Sequence, residues 1–373
     1  MKQRTFSIVQ SSSTFVFAIL LSSGVAVAQR GYVRSDGTNS VVYAGNTDIN
    51  ELFLPSDGWH LADLSALTGA PQAWSEPAPY VRSDGISSVV YQDANNDIDE
   101  LRLERDGWHV ADLSALTGAP PAWSMPAPYA RSDGINAVLY IGADHHIYEL
   151  ALAADGWHVA DLSARTGAPP AIQYSSFEFL PPAPYVRSDG ISSVVYQGED
   201  HHIYELFLLG DGWHVADLSG LASAPLSFRF TPPAPYVRAD SINSVMYEGI
   251  DFHIYELRLE RDGWHVADLS ALTGAPFAMS TLAPYVRSDS ISCVMFEDEN
   301  NHIDELRLER DGWHIADLSA LTGAPIAFSP LAPYVRSDGI NSVVYQDANN
   351  HIVELRLERD GWHVADLIAL VGG

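Results

Sequence analysis

Residues 80–113 read YVRSDGISSVVYQDANNDIDELRLERDGWHVADL. Four short runs rich in β-formers, at 80–82, 88–92, 98–103 and 108–113, are separated by Ser-Asp-Gly, Asp-Ala-Asn-Asn and Arg-Asp-Gly. Gly and Asn supply the positive φ that tight turns require, so each separator reads as a hairpin and the whole stretch as a four-stranded antiparallel meander. Polar–apolar alternation is muddled within the runs, since Ser-Val-Val-Tyr and Trp-His-Val-Ala-Asp-Leu place apolar groups on both faces. Sheets covered on both sides have this character.

The stretch is written seven times. Its tryptophan recurs at Trp59, Trp108, Trp157, Trp213, Trp264, Trp313 and Trp362, in steps of 49, 49, 56, 51, 49 and 49 residues. Seven four-stranded units predict an all-β chain folded as a seven-bladed β-propeller. The repeats lie near 31–77, 78–126, 127–182, 183–233, 234–282, 283–331 and 332–373. Turn signals are so dense that helix is expected only as one loose turn at 64–68 and its copies. A Gly-Ala-Pro-x-Ala-x-x-x-Pro-Ala-Pro linker joins successive repeats, its prolines suited to a segment without a sheet partner for every N–H. Insertions at 172–180 and 227–232 account for the two long steps. The Trp-Asp dipeptide of WD repeats and the paired glycines of kelch repeats are missing from the repeat unit.

The first residues carry Lys2 and Arg4, then an apolar run from Phe15 to Leu21, then small residues ending Ala26-Val27-Ala28. This pattern predicts a secretory signal peptide cleaved after Ala28, leaving a secreted or periplasmic chain that begins at Gln29. The apolar run is shorter than the ~20 residues a spanning helix needs, and no later segment qualifies. No Cys stands at the cleavage point, so a lipid anchor there is not expected. Without Lys2 and Arg4, 18 basic residues, all Arg, face 48 acidic ones, a formal charge of −30. Nucleic acid and anionic membrane surfaces are poor partners for that field. Arg suits planar, bidentate hydrogen bonding to carboxylates and to sugar hydroxyls alike. Cys293 is the only cysteine, so no intramolecular disulfide forms and stability must come from a core, for which the chain is long enough.

Repeat 3 reads Val138-Leu139-Tyr140-Ile141-Gly142-Ala143-Asp144-His145-His146-Ile147-Tyr148-Glu149-Leu150, then Trp157, Asp161-Leu162-Ser163 and Gly167-Ala168-Pro169. It resembles the repeat of the bacterial seven-bladed fucose-binding lectins of the PLL type and, more loosely, the tectonin-like propellers. The resemblance runs through all seven repeats. It implies a carbohydrate-binding protein with sites on or between the blades. One position departs from the pattern. Where such lectins often carry an aromatic just after Glu-Leu, this chain has Arg102, Arg258, Arg307 and Arg356 in four repeats, Phe53 and Phe207 in two, and Ala151 in one. If that position meets the sugar, the specificity need not be fucose.

Each repeat supplies three candidate sugar-binding residues: an Arg at the end of its first strand (Arg34, Arg82, Arg131, Arg187, Arg238, Arg287, Arg336), a Glu on its third (Glu51, Glu100, Glu149, Glu205, Glu256, Glu305, Glu354) and the Trp on its fourth. Charged groups suit bidentate contacts to hydroxyls, and an indole face suits the C–H side of a pyranose ring. The alternative is that Arg and Glu pair between blades while Trp, the expected core residue of the three, fills the interior.

Other chemistry finds less support. The Asp-Ala-Asn-Asn-Asp run at 93–97 lacks the mid-loop Gly and the terminal Glu of a calcium loop, and reads as a hairpin turn. His145-His146 and His201-His202 are adjacent strand or turn residues that point to opposite faces, so no metal is expected there. Cys293 replaces a Ser in a Val-rich strand and reads as a packed small side chain. No unique carboxylate pair or Ser/His/Asp set stands apart from the repeats, so no catalytic residue and no cofactor is predicted. The reading favoured is a secreted, multivalent lectin, with glycans or glycoconjugates as partners and an oligomer left open. A non-catalytic protein-binding scaffold is the alternative.

Overall fold

The structure is a computed structural model that describes residues 30–45, 47–172, 181–228 and 231–371. The expected leader with its cleavage point, and residues 173–180 and 229–230 of the two linker insertions, lie outside the described residues. Seven four-stranded antiparallel sheets follow one another in chain order, each built from a single repeat: a seven-bladed β-propeller. In blade 2 the strands are Ala78–Val81, Ser87–Gln92, Ile98–Glu104 and Gly107–Asp112. The first begins two residues before its expected position because Pro79 joins it opposite Val89. A proline is tolerated there because the first strand is an edge, with one side free of ladder hydrogen bonds. First strands of neighbouring blades touch one another around the ring, so this edge is the inner one.

The core lies between blades. Tyr129, Leu139, Ile147 and Leu162 of blade 3 pack against Val194, Tyr196, Tyr204 and Leu206 of blade 4, and the other junctions repeat this cluster. Second and third strands are therefore covered on both faces, which explains the muddled alternation. The loose turn after each fourth strand is a five-residue helix, such as Leu113–Thr117. Asp112 caps it by accepting from the Ala115 N–H, and Ser114 Oγ accepts from the Ile98 N–H, which ties the helix to the third strand. The Asp93 turn closes on itself: Asp93 Oδ1 accepts from the N–H groups of Asn95 and Asp97, and Asn96 takes φ +67°.

One hydrogen bond marks every junction. The backbone N–H following the first-strand Arg donates to the side chain that opens the second strand of the next blade: Ser35 to Ser87, Ser83 to Asn136, Ser132 to Ser192, Ser188 to Asn243, Ala239 to Ser292, Ser288 to Asn341 and Ser337 to Asn39, at 2.7–3.0 Å. The last of these joins blade 7 to blade 1. The ring thus closes with the same contact that joins its interior blades, and among the described residues each end blade is built from its own repeat. Tyr334 of blade 7 and Val41 and Leu52 of blade 1 share one apolar cluster at this junction.

Candidate functional site

The Arg expected on the first strand stands one residue past its end, in the turn, and meets the third-strand Glu within each blade, not between blades. Arg Nη1 lies 3.0–3.7 Å from the Glu carboxylate, and Nη2 donates to the Asp two residues on (Asp36, Asp84, Asp133, Asp189, Asp240, Asp289, Asp338) at 2.5–2.9 Å. The reason is topological. First and third strands flank the second in one sheet, and a guanidinium is long enough to reach across it. The Asp partners were not singled out by spacing, although Arg-Ser-Asp or its variant Arg-Ala-Asp opens every repeat.

The buried member of the trio is Glu rather than Trp. All seven Glu residues are at most 2% exposed, whereas every Trp is only half-buried. The fourth strand is the outer edge of the blade, so its indole can be covered from one side only. Each Trp packs into the apolar cluster shared with the preceding blade, as Trp213 does with blade 3 and Trp59 with blade 7. Between blades 3 and 4 the three residue types converge across the junction: Arg131 and Glu149 from one blade, Trp213 from the next. Arg131 Cζ lies 5.9 Å from the Trp213 ring centroid, within cation–π range.

Between blades 3 and 4 this convergence opens into a cleft of about 480 Å³, lined by Arg131, Glu149, Ala151, His158, Val159, Ala160 and Arg165 of blade 3 and by Leu208, Asp211, Gly212 and Trp213 of blade 4. Arg131 Nη1 reaches both carboxylate oxygens of Glu149, at 3.2 and 3.4 Å. Burial lifts the Glu149 carboxyl above its ordinary range, against the pull of Arg131. Asp211 is held below its ordinary range by the hydrogen bond from His214.

Ala151 is what clears the space. It stands directly opposite His158 in the sheet. At the same place in blades 1 and 4, Phe53 and Phe207 stack on His60 and His214 at 5.5 Å. In blades 2, 5, 6 and 7 an Arg fills the position and pairs with the Glu two residues on, as Arg102 does with Glu104 and Arg258 with Glu260. Blade 3 has Ala153 in place of that Glu. The His158 side chain is accordingly 56% exposed, against 40–46% for its six counterparts.

The histidines have local partners. Each His after a Trp pairs with the Asp three residues earlier at 2.8–3.0 Å, stapling the outer hairpin. His146 and His202 bond Asp161 and Asp217, the helix-capping residues. Glu104, Asp106 and His109 lie close enough together to hold an ion, as do their copies in blades 5, 6 and 7, but they are solvent-facing and held by the same staple. Cys293 is buried, and burial pushes its thiol far above the ordinary range. Among the described residues no helix is long and apolar enough to cross a membrane.

No protein-family model matches this sequence, and no curated protein matches it. Solved structures do share its shape. AofleA from Arthrobotrys oligospora is 16% identical, with 78% of this chain and 85% of that one covered and a TM-score of 0.52. A putative 6-phosphogluconolactonase from Bacteroides uniformis is 10% identical, with 91% and 94% covered and a TM-score of 0.55. The fucose-recognising lectin of Aleuria aurantia, a six-bladed propeller, is 16% identical, with 75% and 90% covered and a TM-score of 0.47. What the first two share with this chain, at these identities, is the propeller fold.

Proposed function

We propose that the protein is an exported, non-catalytic, multivalent carbohydrate-binding protein with its sites at the blade junctions. The observation that carries this reading is the cleft between blades 3 and 4, where a guanidinium, a carboxylate and an indole face line one open space. Arg131, held by Glu149 and Asp133, frames the cleft; Asp211 offers a carboxylate acceptor for hydroxyls, and Trp213 offers the aromatic wall on which the C–H face of a pyranose stacks. The repeat resemblance supports fucose or a related sugar as the ligand. The Arg–Glu pair recurs in every blade and a Trp of the next blade packs at every junction, which supports repeated sites graded by the residue after Glu-Leu. Weak single sites arrayed on a ring gain avidity of about 10² to 10⁴ on a glycan-coated surface. Export follows from the Lys2/Arg4 and Ala26–Ala28 pattern, and the strongly acidic chain is a poor partner for nucleic acid.

A glycan array probed with the protein starting at Gln29, followed by titration calorimetry with the best monosaccharide, tests this reading. Saturable weak binding of the free sugar with strong retention on the multivalent surface is expected. Absence of binding to any glycan would move the assignment to a protein-binding scaffold. That second reading has its own observation: Trp74, Trp123, Phe277, Met279, Ile326 and Phe328 are 38–52% exposed on the linkers. All of them lie on the face that carries the turns between second and third strands.

A further inference from the structure

The seven junctions are not equivalent, and the one between blades 3 and 4 is set apart by residues of blade 3 that line its cleft. Besides Ala151 and Ala153, this repeat alone has Ala137 where five others have Ser and the sixth has Cys293. It also has Arg165 where the other six have Leu67, Leu116, Leu221, Leu272, Leu321 and Leu370. Those leucines are 55–69% exposed, so the position has no core duty and tolerates exchange. Arg165 is likewise exposed, and it lines the cleft.

The charges of the cleft separate by role. Arg131 is spent on Glu149 and Asp133, and Asp211 accepts from His214. Arg165 lies near enough to bear on the Glu149 carboxyl electrostatically, yet has no ion-pair or hydrogen-bond partner among the described residues. A fork of unengaged N–H donors beside an emptied sugar-sized space matches one ligand chemistry best, a planar carboxylate held bidentately. The chain's overall negative charge opposes an anion, but beyond about 8–10 Å that field is screened at physiological salt, whereas a direct guanidinium contact is not.

We infer that the blade 3–4 cleft binds a carboxylated sugar, a hexuronic acid residue of an acidic glycan, with its carboxylate on Arg165 and its ring between Ala151 and Trp213. This rests on the carbohydrate-binding reading and goes beyond it in naming one distinct site and its ligand class. Ala151 admits the ring, and Arg165 selects for the charge. The other six junctions have neither residue.

The test is titration calorimetry of the protein and two variants with glucuronic, galacturonic, mannuronic and iduronic acid, each beside its neutral hexose and its methyl ester. Arg165→Leu restores the residue of the other six repeats, and Ala151→Arg restores that of four, so both variants are expected to fold; circular dichroism checks that they do. At least one uronate should bind wild type about tenfold or more tightly than its neutral hexose and ester, as a charge-assisted hydrogen bond implies, and the preference should shrink with added salt. Arg165→Leu should bring acid and ester to within about twofold while neutral binding persists. Ala151→Arg should abolish both at this site. Neutral sugars bound with no uronate preference, or a preference that survives Arg165→Leu, would overturn the inference alone. Failure of every sugar to bind would overturn the carbohydrate-binding reading and this inference with it.

Discussion

A buried carboxylate on the third strand of every blade is costly unless a cation and a donor meet it. Glu256 is fully buried and accepts from Arg238 at 3.0 Å and from Ser244 at 2.7 Å. Removing one member of such a pair strands the other in a low dielectric. Glu256→Ala should therefore lower unfolding free energy by about 3–5 kcal/mol in urea melts. Asp240→Ala, which removes the half-exposed partner of the same Arg238, should cost under ~1 kcal/mol. Cys293 occupies the Ser position of blade 6, opposite Arg307 in the sheet and within reach of the Glu305 carboxylate. Its buried thiol should stay unreactive toward a thiol reagent until the chain unfolds. Cys293→Ser should be close to neutral, because Ser40, Ser244 and Ser342 already donate to the equivalent Glu.

At the scale of the element, the second strands of blades 2 and 4 are stitched at their ends to the following linker. Gln92 Nε2 donates to the Ala122 carbonyl at 2.7 Å, and Gln197 donates to Ser227. Blades 5 and 6 carry Glu248 and Glu297 at this position, and burial raises both carboxyls to about 7 from an ordinary 4.5. Asp99 and Asp304, second residues of the third strands of blades 2 and 6, are raised to about 7 by burial as well. The sign follows from proton uptake. Between about pH 4.5 and 7 the folded chain holds protons that the unfolded chain has released, so the contribution of these groups is greatest below ~4.5 and is lost as pH rises through ~7. The double variant Glu248→Gln/Glu297→Gln should match wild type near pH 4 and exceed it at pH 8. The gain is at most about 3 kcal/mol per site, read as a widening gap in Tm. A gap that narrows with rising pH would contradict this account.

For the whole molecule, the repeated junction makes closure a local matter. Because Asn39 receives the Ser337 N–H as Asn243 receives that of Ser188, the seam between the chain ends should be no weaker than an interior junction. Asn39→Ala and Asn243→Ala should then cost the same, about 1–2 kcal/mol each. A much larger loss for Asn39→Ala, or a separate early transition, would show the seam to be the weak point of the ring. Small exchanges in blade 3 leave the architecture untouched while changing what one junction can hold.

The architecture was legible because its determinants are local. Turn chemistry, strand length and a recurring Trp recur at a period short enough to see, and each blade folds from its own repeat. The trio of Arg, Glu and Trp was legible as residue types for the same reason. Its assembly was not. That Arg and Glu would pair inside a blade, and meet the Trp of the next one, depends on which strand is the inner edge and on how neighbouring blades abut, and neither is written in one repeat. Ala151 was visible in the sequence as a departure from the pattern; Arg165, fourteen residues on in a helical turn, stood out only once the structure set it beside the same cleft. Only the packing of blade 4 against blade 3 turns a missing side chain into a space and sets a free guanidinium at its edge, because a cleft is formed by what two blades fail to fill between them.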